Sequence, residues 1–211
     1  TTIKICLYRI AKVSRVAEAL INARHNGKRV TAVVELAARF DEQANIEMAH
    51  RLTEAGVEVI FGIPGLKVHS KVFLIERREA DTVKFYSHVG TGNFNENTAK
   101  AYTDFSLITF DQTIGKDIAA LFEFLKFNYR RPEYRSLLVS PHSSRSGLVD
   151  LIEREIQNAE QGYRAMMTLK CNNLVDLQLT MKLYEASQAG VKIRLIIRGM
   201  CSLVPGVQGF S

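Results

Sequence analysis

The chain has 211 residues, 46% of them hydrophobic and 24% charged, a balance that excludes wholesale disorder and suits one large domain or one domain plus part of another. Twenty-eight Lys and Arg against 22 Asp and Glu leave a formal charge of +6, which favours an anionic partner without identifying one. No apolar run approaches the roughly 18 residues that a membrane-spanning helix needs, and TIKICLYRI at the N-terminus is not a secretory signal.

In chain order, IKICLYR (3–9) reads as a strand and VSRVAEALINARHNG (13–27) as an amphipathic helix stopped by Gly27. RVTAVVEL (29–36) has the continuous apolar look of a strand covered on both faces. A helix over about 44–54, ending at Gly56, and the strand VEVIFG (57–62) complete a βαβαβ series. Such a series predicts a largely parallel sheet with helices on both sides. The pattern then changes. KVFLIER (71–77), TVKFYSHV (82–89) and YTDFSLITF (102–110) follow as successive strands, the first two joined by a hairpin at RREAD. A helix over about 113–127 closes the unit, and NYRRPEYRSLLVSPHSSRSG (128–147) has the composition of a connector. A helix (148–161), a strand (164–170), a helix (174–189) and a strand (191–198) follow.

A stretch of the second half matches one in the first, as a repeated domain would give and as any two helix–Gly–strand units of an α/β protein also could. ALINARHNGKRVTAVVEL (19–36) aligns with KLYEASQAGVKIRLIIRG (182–199) at a shift of 163 residues. Ala23 falls on Ala186, Gly27 on Gly190, and Val30, Val33 and Val34 on Ile193, Ile196 and Ile197. The expectation is two similar domains, 1–130 and 131–211, the second cut short at about its second strand. The opening Thr1 and the closing PGVQGFS support reading the chain as a piece of a longer protein. Cys6, Cys171 and Cys201 are far apart and lack zinc-ligand spacing, so they read as reduced thiols of a cytoplasmic protein.

The chemistry concentrates in PGLKVHSKVFLIER (64–77) and SHVGTGNFNENTAKAYTDFSL (87–107). Strand alternation puts His69 and Lys71 on one face about 7 Å apart. A neutral imidazole can attack phosphorus while a neighbouring ammonium neutralises a non-bridging oxygen. A solvated strand edge would carry the same pair, and an ordinary turn the same glycines. In GTGN (90–93), however, the glycines would admit a ligand close to the backbone, and Asn93 and the loop N–H groups could cradle phosphate oxygens.

An H-x-K followed some twenty residues later by G-T-G-N resembles the phospholipase-D superfamily, whose motif is H-x-K-x4-D with a G-S/T-x-N-type loop, duplicated in two domains around one site. Glu76 stands where that motif has Asp. The phrases LYRIAKVSRVAEAL, NGKRVTAVVELAARFDEQANI, LTEAGVEVIFGIPGLKVHSKVFLIER, VGTGNFNENTAKAYTDFSL, VSPHSSR, LKCNNLVD and IIRGMCSLVPG are similar to one branch, the bacterial polyphosphate kinases. The resemblance runs from end to end of the chain. It implies an α/β fold, a phospholipase-D-like mixed sheet flanked by helices, followed by a truncated second copy.

By that resemblance, His69 takes the γ-phosphoryl group of ATP as a phosphohistidine, and Tyr102 and Arg198 contact the nucleotide. Arg9 and Arg39 match positions tied to the magnesium–phosphate site. Arginine has only donors and cannot ligate a cation, so both read as clamps on phosphate oxygens, with Mg²⁺ held by phosphates and water. Lys71 and Asn93 join the catalytic set on chemical grounds. Surface ion pairing is the alternative for Arg9 and Arg39, and a buried ring on a strand the alternative for Tyr102. His25 and His50 fall in helices as surface residues; His88 lies beside the loop, and His142 in the connector. The implied partners are ATP, ADP and inorganic polyphosphate, with no nucleic acid. The full-length protein is implied to be a homo-oligomer, with room for peripheral membrane association. The family's second essential histidine has no counterpart after His142, so the chain holds about half of a composite site. A phospholipase-D-like phosphodiesterase and a non-catalytic polyanion-binding module are the rival readings.

Overall fold

The computed structural model describes residues 1–36, 38 and 42–210. The chain divides into two compact units, Thr1–Leu137 and Leu138–Ser211. In the first unit β1 (Thr2–Leu7), α1 (Arg15–His25), β2 (Arg29–Val34), α2 (Glu42–Glu54) and β3 (Glu58–Phe61) form the expected parallel series. The sequence then reverses strand sense. β4 (Lys71–Glu79) runs antiparallel to β1, β5 (Thr82–Gly90) to β4, and β6 (Ser106–Thr109) to β5, giving the sheet order β3-β2-β1-β4-β5-β6. The β4–β5 hairpin closes on Ala80 and Asp81, as RREAD predicts, with Ala80 at φ 49°.

Alternation along the strands assigns the faces. Ile5 and Leu7 of β1 and Val30, Ala32 and Val34 of β2 are buried against Ala17 and Leu20 of α1 and Met48, Ala49 and Leu52 of α2. Lys4 therefore lies on the opposite face, where it pairs with Glu76 of β4 at 2.8 Å and reaches Glu123 at 3.8 Å. Glu123 belongs to α4 (Gln112–Lys126), the helix that covers that face. It approaches so closely that a Cβ on Gly115 would lie 2.3 Å from the Phe85 Cβ. Asp111 caps α4 by accepting from the Thr113 and Ile114 N–H groups at 2.7 and 3.1 Å.

The expectation of one strand over 102–110 fails. The structure places a short helix, α3 (Glu96–Ala101), before the four-residue β6, and Tyr102 is the C-cap of that helix. Asn95 starts that helix, its side chain accepting from the Asn97 and Thr98 N–H groups at 3.0 and 3.1 Å.

The second unit contains α5 (Ser144–Glu160), β7 (Met166–Cys171), α6 (Leu177–Gln188) and β8 (Lys192–Ile197), with β7 and β8 parallel. Its core gathers Ile152, Ile156, Leu174, Leu183, Ala186 and Val191. The repeated helix–Gly–strand unit is visible in hydrogen bonds. Lys28 N–H donates to the Ala23 carbonyl at 3.1 Å, and Val191 N–H to Ala186 at 3.0 Å, around Gly27 and Gly190 at φ 75° and 93°. The same cap closes α2 at Gly56 and α5 at Gly162, so the cap alone does not mark a repeat. Nor does strand pairing: β1 pairs parallel with β2 as β7 does with β8, and β2 pairs with β3 in the same sense. Among the described residues, no helix is long and apolar enough to cross a membrane.

Candidate active site

Reversal of strand sense at β4 determines where side chains meet. β1 and β2 end at Leu7 and Val34, which are paired, whereas β4 begins at Lys71 beside Gly90, the last residue of β5. Gly90 in turn faces Ser106 at the start of β6. The chain leaving or entering at this one edge carries Tyr8, Arg9, Glu35, Lys67, His69, Asn93 and Asp104.

His69 lies just before β4, exposed to solvent, with its ring edge-on to Tyr8 at 4.4 Å between centroids. Partial burial lowers its pKa from the ordinary value. The positive charges of Lys71, Lys67 and Arg9 push the same way, and among the described residues the Glu35 carboxylate opposes them. The imidazole is thus kept neutral and nucleophilic at neutral pH. Lys71 is 5% exposed and donates from its ammonium to the His69 carbonyl. The ammonium also sits 4.6 Å from the Tyr8 ring centre. Burial and the Arg9 charge lower its pKa to about 8, with Asp104 and Cys6 acting in the other direction. The predicted pair is therefore not two side chains alternating along one strand. Lys71 starts the strand, and its side chain folds back to His69's own backbone.

The GTGN loop corrects the reading of its glycines. A Cβ on Gly90 would lie 2.7 Å from the His88 ring, and one on Gly92 2.7 Å from an Asp104 carboxylate oxygen. Both glycines are required by protein neighbours. His88 is buried, stacked on Phe73 at 5.1 Å, and shares a 2.6 Å hydrogen bond with Ser106 Oγ. Burial lowers its pKa as well. Asp104 accepts from Thr91 Oγ1 at 2.8 Å, and Phe105 N–H donates to that same hydroxyl at 3.0 Å. Asp104 thus pins the loop and also faces Lys71, a role the sequence reading missed. Asn93 Oδ1 is buried with no hydrogen-bond partner among the described residues, which leaves this amide with capacity for a ligand.

Other predicted residues fall as follows. Arg9 leans on Tyr8, its guanidinium carbon 5.7 Å from the ring centre. Tyr102 is 48% exposed, two residues before Asp104. Arg39 lies outside the described residues. Arg198 belongs to the second unit, exposed just past β8, with its Nε donating to Asn172 Oδ1 at 2.6 Å. His25 and His50 are exposed on helices, as expected. Among the described residues no group of three His, Cys, Asp or Glu side chains converges as a metal site, so this donor set does not build a protein cage for a cation.

Fold and site together define a mixed α/β protein whose chemistry-bearing side chains gather at one end of a curled sheet. Comparison with known proteins gives this class a family. Residues 1–131 match the family described as polyphosphate kinase C-terminal domain 1, and residues 137–211 match polyphosphate kinase C-terminal domain 2. The polyphosphate kinase of Vibrio vulnificus (strain YJ016) is 59% identical over 210 residues, which is 100% of this chain and 30% of that protein. The polyphosphate kinase of Escherichia coli (strain K12) is 54% identical over 209 residues, 99% of this chain and 30% of that protein. A crystal structure of polyphosphate kinase from Porphyromonas gingivalis superposes with a TM-score of 0.86 at 39% identity, covering 98% of this chain and 34% of that one. The chain belongs to the polyphosphate kinase family. It spans about a third of the length of the relatives it matches.

Proposed function

We propose that this chain forms the histidine-bearing part of an ATP:polyphosphate phosphotransferase. The supporting observation is His69, a neutral imidazole at an open sheet end, ringed by Arg9, Lys67 and Lys71. Its nitrogen lone pair attacks the γ-phosphorus of ATP in line, the bond to the bridging oxygen breaks, and ADP leaves. Lys71 and Arg9 offset charge on the equatorial oxygens. The terminal oxygen of a polyphosphate chain then attacks the phosphohistidine and frees the imidazole. Each step is an exchange between similar phosphates, so the sequence runs in both directions.

Tyr102 is assigned to the nucleotide, Arg9 and Arg39 to phosphate oxygens, and Asn93 to the transferring group. Arg198 is assigned to the nucleotide from the second unit. Magnesium, having no protein cage among the described residues, enters as part of the nucleotide substrate. Glu76 bears on the phosphodiesterase alternative. It is paired with Lys4 on the sheet face covered by α4 and takes no part in the cluster around His69.

The test is chain growth by the full-length protein, with and without ATP, beside its His69→Gln variant. ATP-dependent polyphosphate synthesis that disappears in the variant is expected. Hydrolysis of phosphodiesters without nucleotide would favour the alternative.

A further inference from the structure

Glu35 follows β2 and is 6% exposed, an uncommon place for a carboxylate. Among the described residues three separate bonds hold it. Its N–H donates to the Leu7 carbonyl at 3.1 Å, which continues the β1–β2 ladder by one residue. Its carbonyl accepts from Asn45 Nδ2 at 2.8 Å. Its Oε2 accepts from the N–H of Val68 at 2.7 Å, and Val68 immediately precedes His69.

Asn45, fully buried in α2, extends the brace. The same Nδ2 donates to the Tyr8 carbonyl at 2.8 Å, and its Oδ1 accepts from the Ile10 N–H at 3.2 Å. One asparagine and one glutamate thereby fasten the ends of β1 and β2 to the segment that carries the histidine. His69 is consequently fixed from two sides. Its main chain is held through Val68 and Glu35, and its ring meets Tyr8, whose carbonyl Asn45 holds. Among the described residues no side-chain hydrogen bond orients the imidazole directly, so its aim depends on this indirect support.

Building on the phosphotransferase reading, we infer that Glu35 is a positioning residue, whose carboxylate holds the Val68 backbone so that the His69 imidazole is aimed at the transferring phosphoryl group. Asn45 acts through Glu35 and Tyr8. The Glu35 charge adds a second effect. Among the described residues, the charged and titratable groups around His69 are Tyr8 and Arg9 after β1, Glu35 after β2, Lys67 in the same segment and Lys71 in β4, with Asp104 and Cys6 acting on Lys71. Glu35 is the member that raises the His69 pKa, so neutralising it drives that pKa lower.

The test uses the full-length protein as Glu35→Ala, Glu35→Gln and His69→Gln variants. A misplacement of about 1 Å costs roughly one hundredfold in rate, so Glu35→Ala is expected to lose that factor in kcat while KM for ATP stays within about threefold. Glu35→Gln retains an oxygen for the Val68 N–H and recovers most of the rate. A readout independent of turnover is acylation of His69 by diethylpyrocarbonate, followed by mass spectrometry against pH. Glu35→Gln is expected to move the midpoint of His69 reactivity to lower pH.

Unchanged kcat in folded Glu35→Ala, or an unmoved midpoint in Glu35→Gln, overturns the inference. So does a loss of rate in both variants that only tracks loss of folded protein in thermal melts. Full activity in His69→Gln would instead overturn the phosphotransferase reading, and the acylation midpoint would still decide whether Glu35 governs His69.

Discussion

The Lys71 ammonium bonds to the backbone carbonyl of His69, two residues upstream, and lies over the Tyr8 ring. One cation is thereby bound to the segment that carries the His69 imidazole. Burial keeps its pKa near 8, against an ordinary 10.5. As pH rises from 8 to 10.5 the folded protein gives up this proton while the unfolded chain retains it. Charged Lys71 therefore costs stability below pH 8, and the cost is relieved through that window.

Activity moves in the opposite sense. A neutral amine no longer offsets phosphate charge, so kcat of the full-length protein is expected to fall as pH passes about 8. Lys71→Met should lose roughly 10²–10³ in kcat, the usual effect of removing one electrostatic donor. Lys71→Arg should move the alkaline limb upward. A pH–rate profile of the three proteins checks this.

Gly115 and Gly92 test different links. Gly115→Ala would force a methyl group to within 2.3 Å of the Phe85 Cβ, between a helix and a strand that cannot easily part. Overpacking of this kind costs about 1–3 kcal/mol, so the unfolding temperature should drop by several degrees. Gly92→Ala meets the Asp104 side chain, its Oδ2 at 2.7 Å and its Cβ at 2.9 Å, in a half-buried loop. It should lower kcat with little change in melting temperature, because displaced Asp104 releases Thr91 and alters the charge facing Lys71.

Asp117 anchors the connector. It is 4% exposed on α4 and accepts from three successive backbone N–H groups, Arg135 at 3.0 Å, Ser136 at 2.7 Å and Leu137 at 3.0 Å. Asp117→Ala leaves these donors without their acceptor, at roughly 1–3 kcal/mol for each one that stays buried. Hydrogen exchange at residues 135–137 should accelerate in the variant, more than in Asp117→Asn.

Much of this was legible in the sequence, for a local reason. Glycine caps such as Gly27 and Gly190, together with the continuous apolar run of β2, record helix ends and a strand covered on both faces within a few residues. His69, Lys71 and Asn93 could be picked out because each belongs to a short local pattern, an H-x-K at the mouth of a strand and a G-T-G-N loop. The rest depends on distant pairs. Asn95 starting a short helix, Asp104 pressing on Gly92 and Asp117 holding the connector involve partners that the chain brings near only when folded.

The two matched stretches carry opposite charges at one position. Val34 and Ile197 occupy equivalent ends of β2 and β8, yet the next residues are Glu35 and Arg198, opposite in charge. One copy turns that position inward to hold a backbone N–H; the other exposes a guanidinium. Alignment shows the equivalence, and only the folded surroundings give each charge its task.

The most direct measurement is transfer of label from γ-labelled ATP with Mg²⁺ to the full-length protein and to its His69→Gln variant. Acid-labile, alkali-stable label on the parent, absent from the variant and discharged by polyphosphate, is the predicted result. A folded, ATP-binding parent that takes up no label, or a variant that takes up as much, would contradict the phosphohistidine account.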